Sequence, residues 1–285
     1  MLPRSSSDRR AFTLVEMLVV LGIIGILIAL ILPAVMGAQR QARVAAIAME
    51  IKQLETGLDT YKQQLGEYPP SFGENYGSAA SRNSSMVERH LQRCYPKMTA
   101  ANKNTFYSSI APNLDQAEAL VFWLGATAAS VTDPFQNSQN YPHALTSTDL
   151  TRKGYYEFDQ RRLAPANSSF PSFQPRNCRD TSYIYLESRT YTQHLSTSGA
   201  ALGVAQPYCQ DGSGTTLQTL KTINPSKFQI LCAGFDGDFG QVLNNSGTSY
   251  SNIKRFPRGD NYNAADRDNI TNFSDGRTLG DSRPQ

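Results

Sequence analysis

Four aspartates toward the C-terminal end have the residue type and spacing to hold a hard cation. Asp236 and Asp238 alternate with glycines in Gly234-Phe-Asp-Gly-Asp-Phe-Gly240, and Asp266 and Asp268 follow in Ala265-Asp-Arg-Asp-Asn-Ile-Thr-Asn-Phe273. Alternate carboxylates can turn toward one point while glycines free backbone carbonyls, and such an all-oxygen donor set suits Ca²⁺. The twelve-residue EF-hand pattern is absent, and Asp with Gly also builds ordinary solvated turns, so a turn is the competing reading. A fifth carboxylate, Glu16, stands at the edge of an apolar run. At a bilayer centre it would cost at least ~2.5 kcal/mol unless neutralised, so it calls for a cationic partner.

Other chemistry finds little support. No G-x-S-x-G elbow, HExxH or P-loop occurs, and His90, His143 and His194 share no helical ligand spacing. No enzyme activity is expected, and His90 is expected at the surface. Cys94, Cys178, Cys209 and Cys232 form no CxxC motif; they allow three disulfide pairings, among which spacing does not choose.

The elements that would position these residues start with the apolar run. Between Glu16 and Arg40 lie 23 residues without a charge, enough as a helix to exceed the ~30 Å hydrocarbon core of a bilayer. Beyond Pro33, Val44, Ile47, Ile51, Leu54, Leu58, Tyr61 and Leu65 recur at alternating spacings of three and four, an amphipathic stripe. Charged residues, Glu50 among them, are expected on the other faces. Gly66 suits a C-cap and Pro69-Pro70 stops continuation. The pattern predicts one helix from Phe12 to Leu65, apolar all round in its first half and one-sided in its second.

Ala11-Phe-Thr-Leu-Val-Glu16 after a short basic leader resembles the class III signal of type IV prepilins and type II secretion pseudopilins. The resemblance implies that a prepilin peptidase cuts between Ala11 and Phe12, methylates the new amine, and leaves Glu16 four residues on as its partner. Gly25 and Pro33 match the family's helix-disturbing positions; Ala11 stands where Gly is usual. The closing loop is similar to the calcium loop of major pseudopilins, with Asp236 and Asp238 matching its opening turn and Asp268, Asn269 and Ile270 its end. This chain has a longer intervening loop and Phe273 in place of the usual Trp.

An α+β, pilin-like fold follows: a leader at 1–11, a membrane and filament-core helix at 12–36, an amphipathic spine at 37–66 and a globular head at 67–285. Within the head, Ser85 and Glu88 make a capping box for a helix reaching Cys94, and Leu114 to Leu124 reads as an apolar helix. Strands are expected at Gly154 to Phe158, Ser182 to Ser188 and Lys227 to Ala233. In the middle strand the Ile184 and Leu186 face is expected to meet the spine.

The resemblance implies a structural subunit of type II secretion. It would lie in the bacterial inner membrane with a cytoplasmic N-terminus and a periplasmic head, and would assemble with its own copies, other pseudopilins and the secretion platform. Periplasmic exposure would permit disulfides. A type IV pilus or minor pilin, and a membrane-anchored enzyme or binding module, are the alternatives. The formal charge of +3, falling to +1 without the leader, gives no basic excess for nucleic acid.

Overall fold

The computed structural model describes residues 14–74, 76–125, 135, 154–164, 170–176, 178, 181–196, 205–243, 245 and 249–284. The chain divides into two compact units, Met1–Arg43 and Val44–Gln285. The first consists, among its described residues, of the opening part of helix α1 (Leu14–Leu65), which runs through Pro33. Its apolar side chains are exposed all round, Leu14 at 81% and Leu30 at 72% among them. Such a surface has no stable home in water and matches a lipid or a helix-packed environment.

In the second unit α1 becomes one-sided. Val44, Ile47, Ile51, Leu54, Leu58 and Tyr61 are buried, and Leu65 packs against the same cluster. The helix ends at Gly66, whose φ of +88° lets its amide reach back to the Lys62 carbonyl at 2.7 Å, a left-handed cap that glycine adopts without strain. Helices α2 (Ala79–Ser84), α3 (Met86–Cys94), α4 (Ala100–Thr105) and α5 (Ala119–Leu124) follow. Only the serine half of the expected capping box forms: Ser85 Oγ accepts from the Glu88 amide at 3.1 Å, whereas the Glu88 carboxylate turns away to Lys103 and Tyr107.

The expected helix from Leu114 is shorter, because the Asp115 carboxylate accepts the Ala117 amide at 2.6 Å and holds a local turn in place of a helical one. All six side chains of α5 are buried, and Trp123 Nε1 donates to the Pro70 carbonyl at 2.9 Å. Helix α6 (Tyr191–Ser196) comes later in the chain.

Seven short strands are described: β1 (Leu163–Ala164), β2 (Ser172–Phe173), β3 (Ile184–Glu187), β4 (Cys209–Gln210), β5 (Phe228–Cys232), β6 (Arg255–Phe256) and β7 (Ile270–Thr271). The main sheet is antiparallel in the order β3-β5-β7, with Ile184 opposite Leu231 and Cys232 opposite Ile270. Strands β1 and β2 form an antiparallel pair, and β4 and β6 a parallel one. Gly154 to Phe158 is no strand: the amides of Tyr155 and Tyr156 donate to the Leu124 carbonyl, completing the end of α5. Gly57 allows this segment close to the spine, since a Cβ there would lie 3.1 Å from the Tyr155 carbonyl oxygen.

The face of β3 turned to the spine is the tyrosine face. Tyr183 and Tyr185 join the cluster containing the α1 stripe, whereas Ile184 and Leu186 join a second cluster with Tyr208 and Phe239. The hydroxyls explain the reversal. Tyr183 donates to Glu50 Oε2 at 2.6 Å and Tyr185 to the Pro69 carbonyl at 2.7 Å, so both rings are buried with their polar tips satisfied.

Glu50 is itself buried at 4% exposure, where a solvated face was expected. Arg162 clamps both of its oxygens at 2.5 and 2.6 Å, and the guanidinium lies over the Phe173 ring. Removing one partner of such a buried pair typically costs about 3–5 kcal/mol, because the other charge is left uncompensated. Glu50→Ala is therefore expected to lower the urea midpoint of the detergent-solubilised chain strongly, and Arg162→Met in the same chain to recover much of the loss. An unchanged midpoint in Glu50→Ala would show that the pair carries no stability.

Candidate functional site

Strand β5 ends at Cys232 and passes into a turn over residues 234–240. Gly234, Gly237 and Gly240 have φ of +70°, +73° and +82°. Two of them also make room. A Cβ on Gly234 would lie 2.5 Å from the Asp268 carboxyl carbon, and one on Gly240 would lie 2.4 Å from that of Asp266. The carboxylates of the closing stretch are thus pressed onto the backbone of the opening turn.

Each aspartate has a distinct task there. Asp236 Oδ1 accepts from the Asp238 amide at 2.9 Å, and Asp238 Oδ1 from the Gly240 amide at 2.8 Å; both side chains are exposed. Asp268 Oδ2 accepts from the amides of Phe235 and Asp236 at 2.7 and 3.3 Å. Burial pushes the Asp268 carboxyl upward and the Asp236 charge adds to this, while those amides pull the other way. Its Oδ1, like Asn269 Oδ1, is buried without a hydrogen-bond partner.

Asp266 is fully buried on the 3₁₀ turn Ala265–Asp268. Its Oδ1 accepts from Lys254 Nζ at 2.6 Å and from the Tyr208 hydroxyl at 3.0 Å, and its Oδ2 from the Asn263 amide at 2.9 Å. Burial pushes the Lys254 ammonium down, opposed by the carboxylate of Asp266 beside it.

The fold brings the opening turn and the closing acidic stretch together, the arrangement that the resemblance to a calcium loop implies. Tested for Ca²⁺, the donors divide. Both oxygens of Asp266 are engaged, and an ammonium already occupies the space before it; Asp268 Oδ1 and Asn269 Oδ1 are the buried oxygens with capacity left. Lys254 is the residue that reading the sequence missed. Its one signal was a lysine between Ile253 and Arg255-Phe256 in an otherwise polar loop.

A second polar centre lies at the end of the spine. His90, expected at the surface, is fully buried, with Nε2 2.7 Å from the Tyr61 hydroxyl and Nδ1 2.7 Å from Glu67 Oε1. Glu67 Oε2 accepts from Arg189 at 3.1 Å and Arg93 at 3.2 Å. Burial pushes the Glu67 carboxyl up, but the His90 hydrogen bond and the Arg189 charge outweigh it and hold the group at about 2. Burial pushes the His90 imidazole down, so the neutral ring is favoured, and it pushes the Cys94 thiol up to about 12.

One candidate ligand atom each from Glu67, His90 and Cys94 lies within 4.8 Å of the others. Two guanidiniums already balance the carboxylate and the thiol is protonated, so the arrangement acts as a clamp between α1, α3 and the Pro69 turn.

All four cysteines are free thiols. Cys178 and Cys232 are hydrogen-bonded neighbours, and the Cys178 thiol also donates to the Gly234 carbonyl at 2.6 Å. Cys94 sits by His90, and Cys209 in a separate small cluster with Leu195, Tyr250 and Ile253. At the other end of the chain, Glu16 lies in the first turn of α1, with Gly25 and Pro33 further along the same exposed helix. Ala11 and Phe12, like His143, lie outside the described residues.

A long apolar helix that becomes the buried spine of a small sheet-bearing head defines a pilin-like α+β protein. Comparison with known proteins agrees. Residues 6–32 match the family model of the prokaryotic N-terminal methylation motif. The chain is similar to type II secretion system core protein G of Escherichia coli K12, 39% identical over 66 residues, covering 23% of this chain and 46% of that protein. It is 45% identical over 62 residues to the protein of the same name from Pseudomonas aeruginosa, covering 22% and 44%. The Klebsiella pneumoniae protein is 34% identical over 89 residues, 31% and 61%. The chain thus spans about half the length of the curated relatives it matches. No solved structure gives a significant match. The N-terminal segment therefore carries the prokaryotic N-terminal methylation motif and is similar to that of type II secretion system core proteins.

The glycines of the 234–240 turn offer a direct check on the loop. Gly237→Ala, where the nearest atom to a new Cβ is Thr181 Cγ2 at 3.6 Å, is expected to cost the left-handed penalty alone, about 1–2 kcal/mol. Gly240→Ala adds a clash with the buried Asp266 carboxylate and is expected to lower the urea midpoint distinctly further. Equal losses for the two variants would mean that the Asp266 carboxylate does not pack on Gly240.

Proposed function

We propose that this chain is a structural pseudopilin of a type II secretion system, held in the bacterial inner membrane and drawn into a periplasmic filament whose growth drives protein export. The observation that carries the reading is the methylation motif on a helix that is apolar and exposed over residues 14–36 and then becomes the spine of a folded head. The leader faces the cytoplasm, the head the periplasm. Prepilin peptidase cuts between Ala11 and Phe12, and the methylated Phe12 amine supplies the positive charge that Glu16 calls for. In the filament that charge comes from a neighbouring copy, so Glu16 sets the register between subunits. Other pseudopilins and the inner-membrane platform are the partners. The role is structural rather than enzymatic.

Mass spectrometry of the protein from its native host is expected to find a mature chain starting at N-methylated Phe12. An intact Met1 terminus, or cleavage beyond Gly37, would overturn the processing step and with it the pseudopilin reading.

Glu16→Ala is expected to leave insertion and cleavage intact, because removing a charge eases partitioning into lipid, and to reduce filament yield severely. Sheared-filament preparations from cells making either form measure this, and a normal yield from the variant would remove the pairing.

A further inference from the structure

We infer that Lys254 is the resident cation of the C-terminal loop, and that its ammonium closes the loop through the contacts a bound divalent ion would otherwise make. Three separate segments meet at Nζ. The opening turn supplies the Phe239 carbonyl at 3.0 Å, the closing stretch supplies Asp266 Oδ1 at 2.6 Å, and the intervening loop supplies the lysine itself. The shorter of the two joins an ammonium to a carboxylate, a charge-assisted hydrogen bond. Lys254 is 2% exposed and Asp266 fully buried, so the ammonium is a component of the interior.

The site is built to receive it. The Lys254 carbonyl accepts from the Cys209 amide at 2.9 Å, and the next two residues are β6, paired with β4, so the stem of the lysine is fixed by backbone. Gly240 gives Asp266 its approach, and the Tyr208 hydroxyl and the Asn263 amide take two more of that carboxylate's lone pairs, one on each oxygen. Asn269 Nδ2 completes the ring, donating to the Phe239 carbonyl at 3.3 Å and the Tyr208 hydroxyl at 3.2 Å. A calcium ion takes six to eight oxygens at about 2.3–2.6 Å. Here the Phe239 carbonyl has both lone pairs taken, Asp266 accepts three hydrogen bonds, and the fixed positive charge repels a second cation. The loop therefore closes without metal, whatever the filament role of the chain.

The test is thermal unfolding of the full chain in detergent with millimolar CaCl₂ and with EGTA. Coincident melting temperatures are expected. A rise of several degrees in calcium, not reproduced by magnesium, would overturn the inference and leave Asp268 Oδ1 and Asn269 Oδ1 as the atoms holding the ion. Lys254→Met keeps the stem but removes the charge, and should lower the melting temperature by on the order of 10 °C. It should also open residues 249–263 to limited proteolysis. Lys254→Met with Asp266→Leu removes both charges and is expected to recover most of that loss. If Lys254→Met alone melts as the wild type does, or the double variant is no better than the single one, the ammonium is not the element that closes the loop.

Discussion

The stripe from Val44 to Tyr61 is the constraint on which the rest of the molecule depends. The same helix that exposes apolar side chains all round over residues 14–36 must bury one face, and one face only, in the head. A helix cannot change its solvent requirement midway unless its residue pattern changes, and it does so at Arg40 and Arg43, after which the large apolar residues other than Met49 keep to one side. The head core is arranged around that stripe, with β3 and α5 contributing to the same cluster. Two polar clamps add direction to the packing. Glu50 with Arg162 and Tyr183 fixes the spine midway, and Tyr61 with His90 and Glu67 fixes its end. These contacts resist sliding of the spine within the head in a way that apolar contacts alone do not.

Much of this is legible in the sequence alone, and the reasons are specific. A repeat of three and four residues maps onto one helix face whatever the fold, so the stripe could be read directly. The Ser85 and Glu88 spacing likewise marks a helix start locally. Alternation along Ser182 to Ser188 identified a strand with two faces, but hydropathy ranked the faces wrongly, because it discounts tyrosine. The hydroxyls of Tyr183 and Tyr185 find acceptors on Glu50 and at Pro69, and those acceptors come from distant sequence. Glu50 and His90 were misplaced for the same reason: each is buried by partners 112 and 23 residues away. Strand β7 is two residues long and exists through its pairing with β5, so no local pattern announced it.

The C-terminal loop shows the same division between what is local and what is tertiary. Glycines next to aspartates foretold a turn, and the left-handed backbone at Gly234, Gly237 and Gly240 is that turn. That Gly234 and Gly240 also admit two carboxylates from some thirty residues on is a property of the closed loop alone. The cation those carboxylates meet comes from a third segment, and nothing in the spacing of the aspartates pointed to Lys254. A cluster of acids in sequence states a demand for positive charge. It does not say whether an ion or a side chain supplies it.

In the function proposed above, the apolar helix over residues 14–36 packs against copies of itself in the filament. The most direct test places a photo-crosslinking amino acid at Ile24 or Ile31 in the full chain, expressed in a host carrying a type II secretion system. Irradiation of membranes and sheared filaments is expected to give a ladder of covalent multimers linked through this helix, lost when Glu16 is changed to Ala. A processed chain that yields monomers and lipid adducts alone, from both positions, would contradict the account.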